Sequence, residues 1–298
     1  MNRPANSPRR SALYLPASNG RAIEKARSLP ADVIIFDLED AVAPSAKAQA
    51  RQALVDAFAQ AGFGHRETVI RTNEIGSDDY LQDLAAIARC RPAAVLLPKV
   101  SDIAQVERFA ADAAAAGLAE GIASWFMIET VAALMHLPGI VSAGRGVRPA
   151  LSCLVVGTND IAKETGVSPD DGRACLVPWL MSIVLSAKHH QVAVLDGVWN
   201  DFKDMQGYEL ETRQGRAMGF DGKTLIHPTQ VAMANEVFSP SAAALADARL
   251  IVDAFSDPAH ANAGVINLDG RMVERLHLAQ AQRLLAIDDA IQAATAAR

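Results

Sequence analysis

Cysteine is scarce in this chain. Three residues, Cys90, Cys153 and Cys175, are scattered through 298 positions. An odd, dispersed set excludes a disulfide framework and fits a reducing compartment. Cys153 lies inside an apolar run, which marks it as core rather than nucleophile. No run is long and apolar enough to cross a bilayer, so no membrane role is expected. Arg3, Arg9 and Arg10 form the only notable basic cluster, and no apolar segment follows them. No signal peptide is therefore expected, and the cytoplasm is the expected location. Positive charge is in deficit, with 28 Lys and Arg against 34 Asp and Glu, a net charge of −6. A mildly acidic chain carries no footprint for nucleic acid. Zinc spacings are missing too: there is no His-x-His or Cys-x-x-Cys, and the adjacent His189 and His190 cannot converge on one ion.

What the chain does have is apolar residues, 50% of the total, arranged in short runs that end in polar side chains. Continuous apolar runs predict strands buried on both faces, as in a parallel sheet. They fall at Ser11–Pro16, Asp32–Leu38, Glu67–Thr72, Ala93–Leu97, Ile122–Ile128, Leu151–Val156, Val192–Asp196 and Gly222–Ile226. Helical stretches alternate with them, among them Arg21–Leu29, Pro44–Gln60, Asp78–Arg89 and Ser101–Ala116. Ser18 or Asn19 would cap the first of these, and Ser101 the last. About eight such units in this length predict a (β/α)₈ barrel over residues 1–228. An open doubly wound sheet is disfavoured, because no Gly-x-Gly-x-x-Gly follows the first strand. Residues 1–10 read as a mobile arm. Residues 229–298 are surplus to the barrel and predict a C-terminal extension, a lid, an oligomer contact or both. It holds a helix over Thr229–Phe255, a hairpin turning at Asp269-Gly270, and a last helix over Leu276–Ala294.

The chemistry is predicted at the C-terminal strand ends, where parallel α/β proteins place it. Glu129 and Asp160 follow the two most apolar runs and are the candidate ligands of one divalent cation. Mg²⁺ takes one or two carboxylates and fills its other positions with water and substrate oxygens. The alternative is that each carboxylate caps the helix that follows it. Arg71 would bring a planar fork to a substrate carboxylate or a developing enolate oxygen, with an ion pair to Glu39 or Asp40 as a compatible role. Asp37, Glu39 and Asp40 would orient Arg71, Lys99 or metal-bound water. Lys99 offers a competing Schiff-base mechanism, although the neighbouring acids favour a charged, paired lysine. His227, at the last strand's exit, is a substrate contact or a hydrogen-bonded structural residue.

These residues fall in stretches that match a known family. They are Arg10-Ser11 through Leu15-Pro16, Phe36-Asp-Leu-Glu-Asp-Ala-Val42, Arg71-Thr-Asn73, Leu97-Pro-Lys-Val100, Ile128-Glu-Thr130 and Gly157-Thr-Asn-Asp160. Gly197-Val-Trp-Asn-Asp-Phe202, Gly219-Phe-Asp-Gly-Lys223 and Ile226-His-Pro228 complete the series in order. The chain resembles the citrate lyase β-subunit-like branch of the HpcH/HpaI aldolase superfamily, which includes citryl-CoA and malyl-CoA lyases. The resemblance implies a (β/α)₈ barrel and Mg²⁺ (or Mn²⁺) on Glu129 and Asp160. It implies Arg71 as the substrate-oxygen contact and a homotrimer or hexamer in which the C-terminal segment covers a neighbour's site. Malyl-CoA-lyase-like members carry an Asp in a Met-Ile-Asp-x-Pro stretch after the hairpin. Here Met272-Val-Glu274-Arg-Leu276 replaces it, with Glu274 in the acid's place and no proline.

The expected activity is Mg²⁺-dependent cleavage or formation of a carbon–carbon bond in a short 3-hydroxyacyl thioester, giving an acetyl thioester and a 2-oxo acid. Arg71 and Glu274 would be catalytic, and Arg71 and Glu129 would touch substrate. CoA or an acyl carrier protein would bring the thioester. Two other readings stay open: a Schiff-base lyase through Lys99, and a non-catalytic thioester- or carrier-binding subunit of a larger lyase complex.

Overall fold

The computed structural model describes residues 7–60, 62–260 and 263–296. The chain forms two compact units, one spanning Arg9–Phe238 and one made of the segment from Ser239 onward with the residues up to Pro8.

In the first unit eight parallel strands close into a barrel in sequence order. They are β1 Ser11–Pro16, β2 Val33–Asp37, β3 Glu67–Arg71, β4 Ala94–Leu97, β5 Ala123–Ile128, β6 Leu151–Val156, β7 Ala193–Asp196 and β8 Gly222–Leu225. The intervening helices are α1 Gly20–Ala26, α2 Lys47–Ala59, α3 Tyr80–Cys90, α4 Ile103–Ala115, α5 Val131–Gly146, α6 Thr158–Thr165, α7 Asp170–Arg173, α8 Val177–His189, α9 Met205–Met218 and α10 Val231–Phe238. Alternation along each strand splits the core in two. Val33, Ile35, Val69, Leu96, Trp125 and Val155 fill the barrel interior. Their neighbours Ile34, Phe36, Ile70, Leu97, Phe126 and Leu154 face the helices. Both faces are buried, which is why the strands read as unbroken apolar runs.

Several boundaries shift for identifiable reasons. Asn19 caps α1, its Oδ1 accepting from Ala22 N at 3.1 Å. Asp102, not Ser101, caps α4, accepting from Gln105 N at 2.8 Å. The Ser101 hydroxyl instead donates to the Lys99 carbonyl at 2.9 Å. The barrel unit runs past Pro228 to Phe238, because α10 closes the eighth βα unit. Val231, Ala234 and Phe238 are buried there, and Ser11 Oγ donates to Asn235 Oδ1 at 2.7 Å.

The expected mobile arm is corrected at its C-terminal end. Arg10 donates from its backbone and from Nε to Asp32 Oδ2 at 2.9 and 2.8 Å. Arg9 grips Glu67 through Nε and Nη2, both at 2.8 Å, and its guanidinium lies over Trp125 at 4.7 Å. The two arginines therefore plug the N-terminal end of the barrel. Residues 1–6 of the expected arm, including Arg3, lie outside the described residues.

A buried charge network backs the exit of β7. Asp196 accepts from Arg173 Nη1 and Nη2 at 2.7 and 2.9 Å, and Lys223 Nζ lies 3.2 Å from it. Lys223 also reaches Glu211 at 2.7 Å. Burial alone would raise the Asp196 pKa, but Lys223 and Arg173 outweigh it and hold it below the ordinary carboxylate value.

In the second unit, α11 (Ala242–Ser256) precedes a hairpin of β9 (Val265–Leu268) and β10 (Arg271–Glu274), and α12 (Arg275–Ala296) follows. The stretch expected as one helix over 229–255 breaks after Phe238, where Pro240 cannot donate a backbone N–H and Ser241 caps α11. Asp269 and Gly270 both adopt positive φ, 51° and 81°, as a tight two-residue hairpin turn requires. Ile251, Phe255, Ile266, Val273 and Ala281 form this unit's own core.

Candidate active site

The C-terminal strand ends bring five of the expected residues into one polar cluster. Arg71 ends β3 and faces Asp37 at the end of β2, its direct register partner. The pair is bidentate: Nε donates to Oδ1 at 2.8 Å and Nη2 to Oδ2 at 2.6 Å. Nη1 lies 2.9 Å from Glu39 Oε2, while Asp40, largely exposed, stands off at 3.8 Å. Asp37 is thus Arg71's main partner, ahead of the Glu39 and Asp40 singled out from sequence. Burial would lower the Arg71 pKa, but Asp37 dominates and keeps the guanidinium charged.

Glu39 has a second cation. Lys99 Nζ donates to its Oε1 at 3.0 Å. Burial works against a charged lysine, yet the bond and charge of Glu39 raise the Lys99 pKa above its ordinary value. A lysine held protonated is a poor amine nucleophile, so the geometry opposes the Schiff-base reading.

Glu129 follows β5 and is 2% exposed. Its Oε1 accepts the Lys99 backbone N–H at 2.7 Å. It does not cap α5; that cap is Thr130, which accepts from Ala133 N at 3.0 Å. Burial, then the Glu39 carboxylate, with Asp160 adding, push the Glu129 pKa up to about 8, against the Lys99 bond and Arg71. Asp160 lies in the first turn of α6, where the helix dipole favours a carboxylate, and makes no side-chain cap.

This donor set fits a hard divalent cation. A buried carboxylate crowded by two more acids and pushed toward neutrality is the chemistry that added positive charge at the site relieves. Gly157 makes room for the Glu129 side chain: a Cβ there would fall 2.6 Å from Glu129 Oε2 and closer still to Glu129 Cβ. Among the described residues there is no cluster of three or more His, Cys, Asp or Glu side chains placed to bind a metal. Water and substrate oxygens would therefore complete the shell.

Sequence reasoning missed the support behind this cluster. Lys47 Nζ, 9% exposed, donates to the carbonyls of Leu38 and Glu39 at 2.8 and 3.0 Å and to Asn73 Oδ1 at 2.5 Å. Asn73 in turn donates from N and Nδ2 to Asp83 Oδ2 at 2.8 and 2.7 Å, and Asp83 accepts from Arg51. The chain fixes the backbone that carries Asp37 and Glu39. Its only sequence signal is a lone lysine opening an alanine-rich helix after an acidic strand exit. Tyr14 was also missed. It takes the inward parity of β1, two residues after the interior Ala12, and its ring lies 5.0 Å from the Arg71 guanidinium carbon. Asn159 and Asn200 exchange two amide bonds, at 3.1 and 2.8 Å, tying the exits of β6 and β7.

One expected contact is not part of the cluster. His227 holds its own turn: Nδ1 meets Thr229 Oγ1 at 2.8 Å and the ring stacks on Phe202 at 4.7 Å. Glu274 ends β10 in the second unit and is exposed, its backbone N–H donating to His277 Nδ1 at 2.9 Å.

The fold and cluster define a (β/α)₈ barrel protein whose mouth holds one clamped arginine among acidic side chains. The chain belongs to the HpcH/HpaI aldolase/citrate lyase family, whose profile matches residues 10–228. It is 42% identical over 286 residues to a (3S)-malyl-CoA thioesterase of Cereibacter sphaeroides, covering 96% of each chain. It is 30% identical over 305 residues to an L-malyl-CoA/β-methylmalyl-CoA lyase of the same species, covering 94% of each. Among solved structures it is similar to the protein CitE of Mycobacterium tuberculosis in complex with magnesium, acetoacetate and coenzyme A. That match has 29% identity and a TM-score of 0.72, and covers 95% of this chain and 99% of the other. A citrate lyase β subunit of M. tuberculosis complexed with oxaloacetate and magnesium matches with 30% identity and a TM-score of 0.67, covering 80% and 100%. The expected lyase activity widens accordingly to an enzyme family holding both hydrolases and lyases of CoA thioesters. No helix among the described residues is long and apolar enough to cross a membrane.

Proposed function

We propose that the barrel mouth binds a malyl-type CoA thioester and that the net reaction is hydrolysis, giving the free hydroxy acid and CoA. The observation that carries this reading is the full-length likeness to a malyl-CoA thioesterase at 42% identity. In the reaction a water oxygen bonds to the thioester carbonyl carbon, the C–S bond breaks, and the thiolate leaves and takes up a proton.

Glu129 and Asp160 would hold Mg²⁺ (or Mn²⁺), which when bound polarises a substrate oxygen and offsets its negative charge. Arg71 presents its guanidinium to a substrate oxygen with its orientation already fixed by Asp37 and Glu39, so little reorganisation is needed as charge develops. Lys99 keeps Glu39 in place by its side chain and Glu129 by its backbone. Glu274 is the acid that the family resemblance offers for proton transfer, supplied by a neighbouring copy in a homotrimer or hexamer. It is one methylene longer than the family's Asp, and placement governs such transfers.

Carbon–carbon cleavage is the second reading, favoured by the 30% identity to malyl-CoA lyases. One assay separates the two. Malyl-CoA with the protein and Mg²⁺ should release free thiol and malate. Glyoxylate and acetyl-CoA in stoichiometric amounts would give the reaction to the lyase instead. Binding of the thioester with no turnover would leave the carrier-binding subunit.

A further inference from the structure

Two strong donors in the barrel converge on one weak acceptor. Tyr14 Oη donates toward Met127 Sδ at 3.8 Å, and Arg71 Nη1 donates toward the same sulfur at 3.7 Å. A thioether is among the poorest acceptors a protein holds. Arg71's other partners are taken: Asp37 holds Nε and Nη2, and Glu39 holds Nη1 from its own side. What remains unspent is the Nη1 direction shared with the Tyr14 hydroxyl. Met127 lies two residues before Glu129, hence on the same face of the chain and one layer deeper in the barrel. Tyr14 is partly exposed rather than sealed in the core.

We infer that Tyr14 is a catalytic residue: its hydroxyl and Arg71 Nη1 form a two-donor cradle for a negatively charged substrate oxygen at the floor of the mouth. Deepening the reading proposed above, this places the substrate's carboxylate or developing oxyanion beside Arg71 and below Glu129. Burial, the largest influence, raises the Tyr14 pKa, so the phenol remains a donor at neutral pH. A donor pair fixed before substrate arrives is worth far more in a low-dielectric barrel than in water. Tyr14 also supports the arginine by lying under its face, a role the ring performs without the hydroxyl.

The test separates hydroxyl from ring. Tyr14→Phe should lower kcat/KM on malyl-CoA about 100-fold, the size of losing one oxyanion donor, with Mg²⁺ affinity unchanged. Incorporating 4-fluorophenylalanine at position 14 refills the space of the oxygen but cannot donate. Equal loss in both variants upholds the cradle. Recovery of activity with the fluorinated ring shows that the hydroxyl only fills space, and overturns it, as does a Tyr14→Phe enzyme within about threefold of wild type. If wild-type protein neither hydrolyses nor cleaves malyl-CoA, the assigned substrate fails, not the cradle. Titration with oxaloacetate and Mg²⁺ then decides. At least tenfold weaker binding by Tyr14→Phe upholds the cradle; equal affinity, or binding by neither protein, overturns it.

Discussion

The backbone N–H of Lys99 donates to Glu129 Oε1 at 2.7 Å, while the Lys99 side chain turns away to Glu39 at 3.0 Å. Lys99 adopts a left-handed φ of 53° at the exit of β4. One residue therefore serves two carboxylates by separate groups, and only one of these services depends on the side chain. Lys99→Met should leave Glu129 held and keep turnover within about tenfold of wild type, the loss coming from a freer Glu39. Borohydride added with substrate should trap no adduct. A trapped adduct on Lys99 would restore the Schiff-base mechanism.

Removing charge from the crowded carboxylates should affect metal before fold. Glu129→Gln keeps an acceptor for the Lys99 N–H and relieves a buried carboxylate that its neighbours already oppose. We expect Mg²⁺ affinity to fall at least about tenfold, with a metal-free Tm equal to or above wild type. Asp160→Asn should weaken Mg²⁺ similarly. Unchanged titration curves for both variants would remove the metal assignment.

Arg71 should matter to both turnover and stability. Arg71→Lys keeps the charge and loses the fork that meets Asp37. Its kcat/KM should drop about 100-fold with a modest loss of Tm. Arg71→Ala leaves Asp37 buried without its cation, with Glu39 held by Lys99 alone, and should cost about 3–5 kcal/mol of stability. A Lys variant with wild-type turnover would reduce Arg71 to a structural partner.

The Asp196 network sets an acid limit on the fold. Its folded pKa lies below the ordinary carboxylate value, so its pairing with Lys223 and Arg173 contributes stability at all higher pH. That contribution is lost as pH falls from the ordinary carboxylate range through the lower folded value. Asp196→Asn takes the bidentate carboxylate from buried Arg173 and leaves Lys223 with Glu211 alone, and should cost about 3–5 kcal/mol near neutrality. Its urea midpoint should then fall less on acidification than that of wild type. Parallel acid profiles for the two proteins would contradict this.

Glu274→Ala should slow turnover and leave Mg²⁺ binding intact. If the residue acts in a neighbouring copy, mixing this variant with Arg71→Ala should restore part of the activity, once subunit exchange is verified. Exchange without recovery, from two inactive parents, would deny Glu274 a role in trans.

The strands were legible because burial on both faces writes them as unbroken apolar runs; Ser11–Pro16 and Leu151–Val156 match to the residue. Arg71, Glu129 and Lys99 were legible because a charged residue that ends such a run has few places to point. Lys47 and Asp83 were not, because helix positions carry no marker of a side chain that reaches forward to a strand exit. Tyr14 was hidden by its own strand: a tyrosine among apolar residues reads as packing, and only the inward register places its ring against the Arg71 guanidinium. Arg9 and Arg10 read as a polar arm because their partners Glu67 and Asp32 come from other strands.

The closure of the barrel also governs when it can form. Ser11 pairs with Lys223, and the Arg10 carbonyl accepts the Lys223 N–H at 3.1 Å. The first strand of the barrel to leave the ribosome thus waits for the barrel's eighth before its outer edge is covered. Until then β1 and its neighbours expose apolar faces and unpaired backbone, the surfaces on which chains cross-associate. Loop closure over nearly the whole unit makes the final step slow relative to the local βα pairings. Lowered synthesis temperature or chaperone supply should therefore raise the yield of native protein more than any change at the mouth.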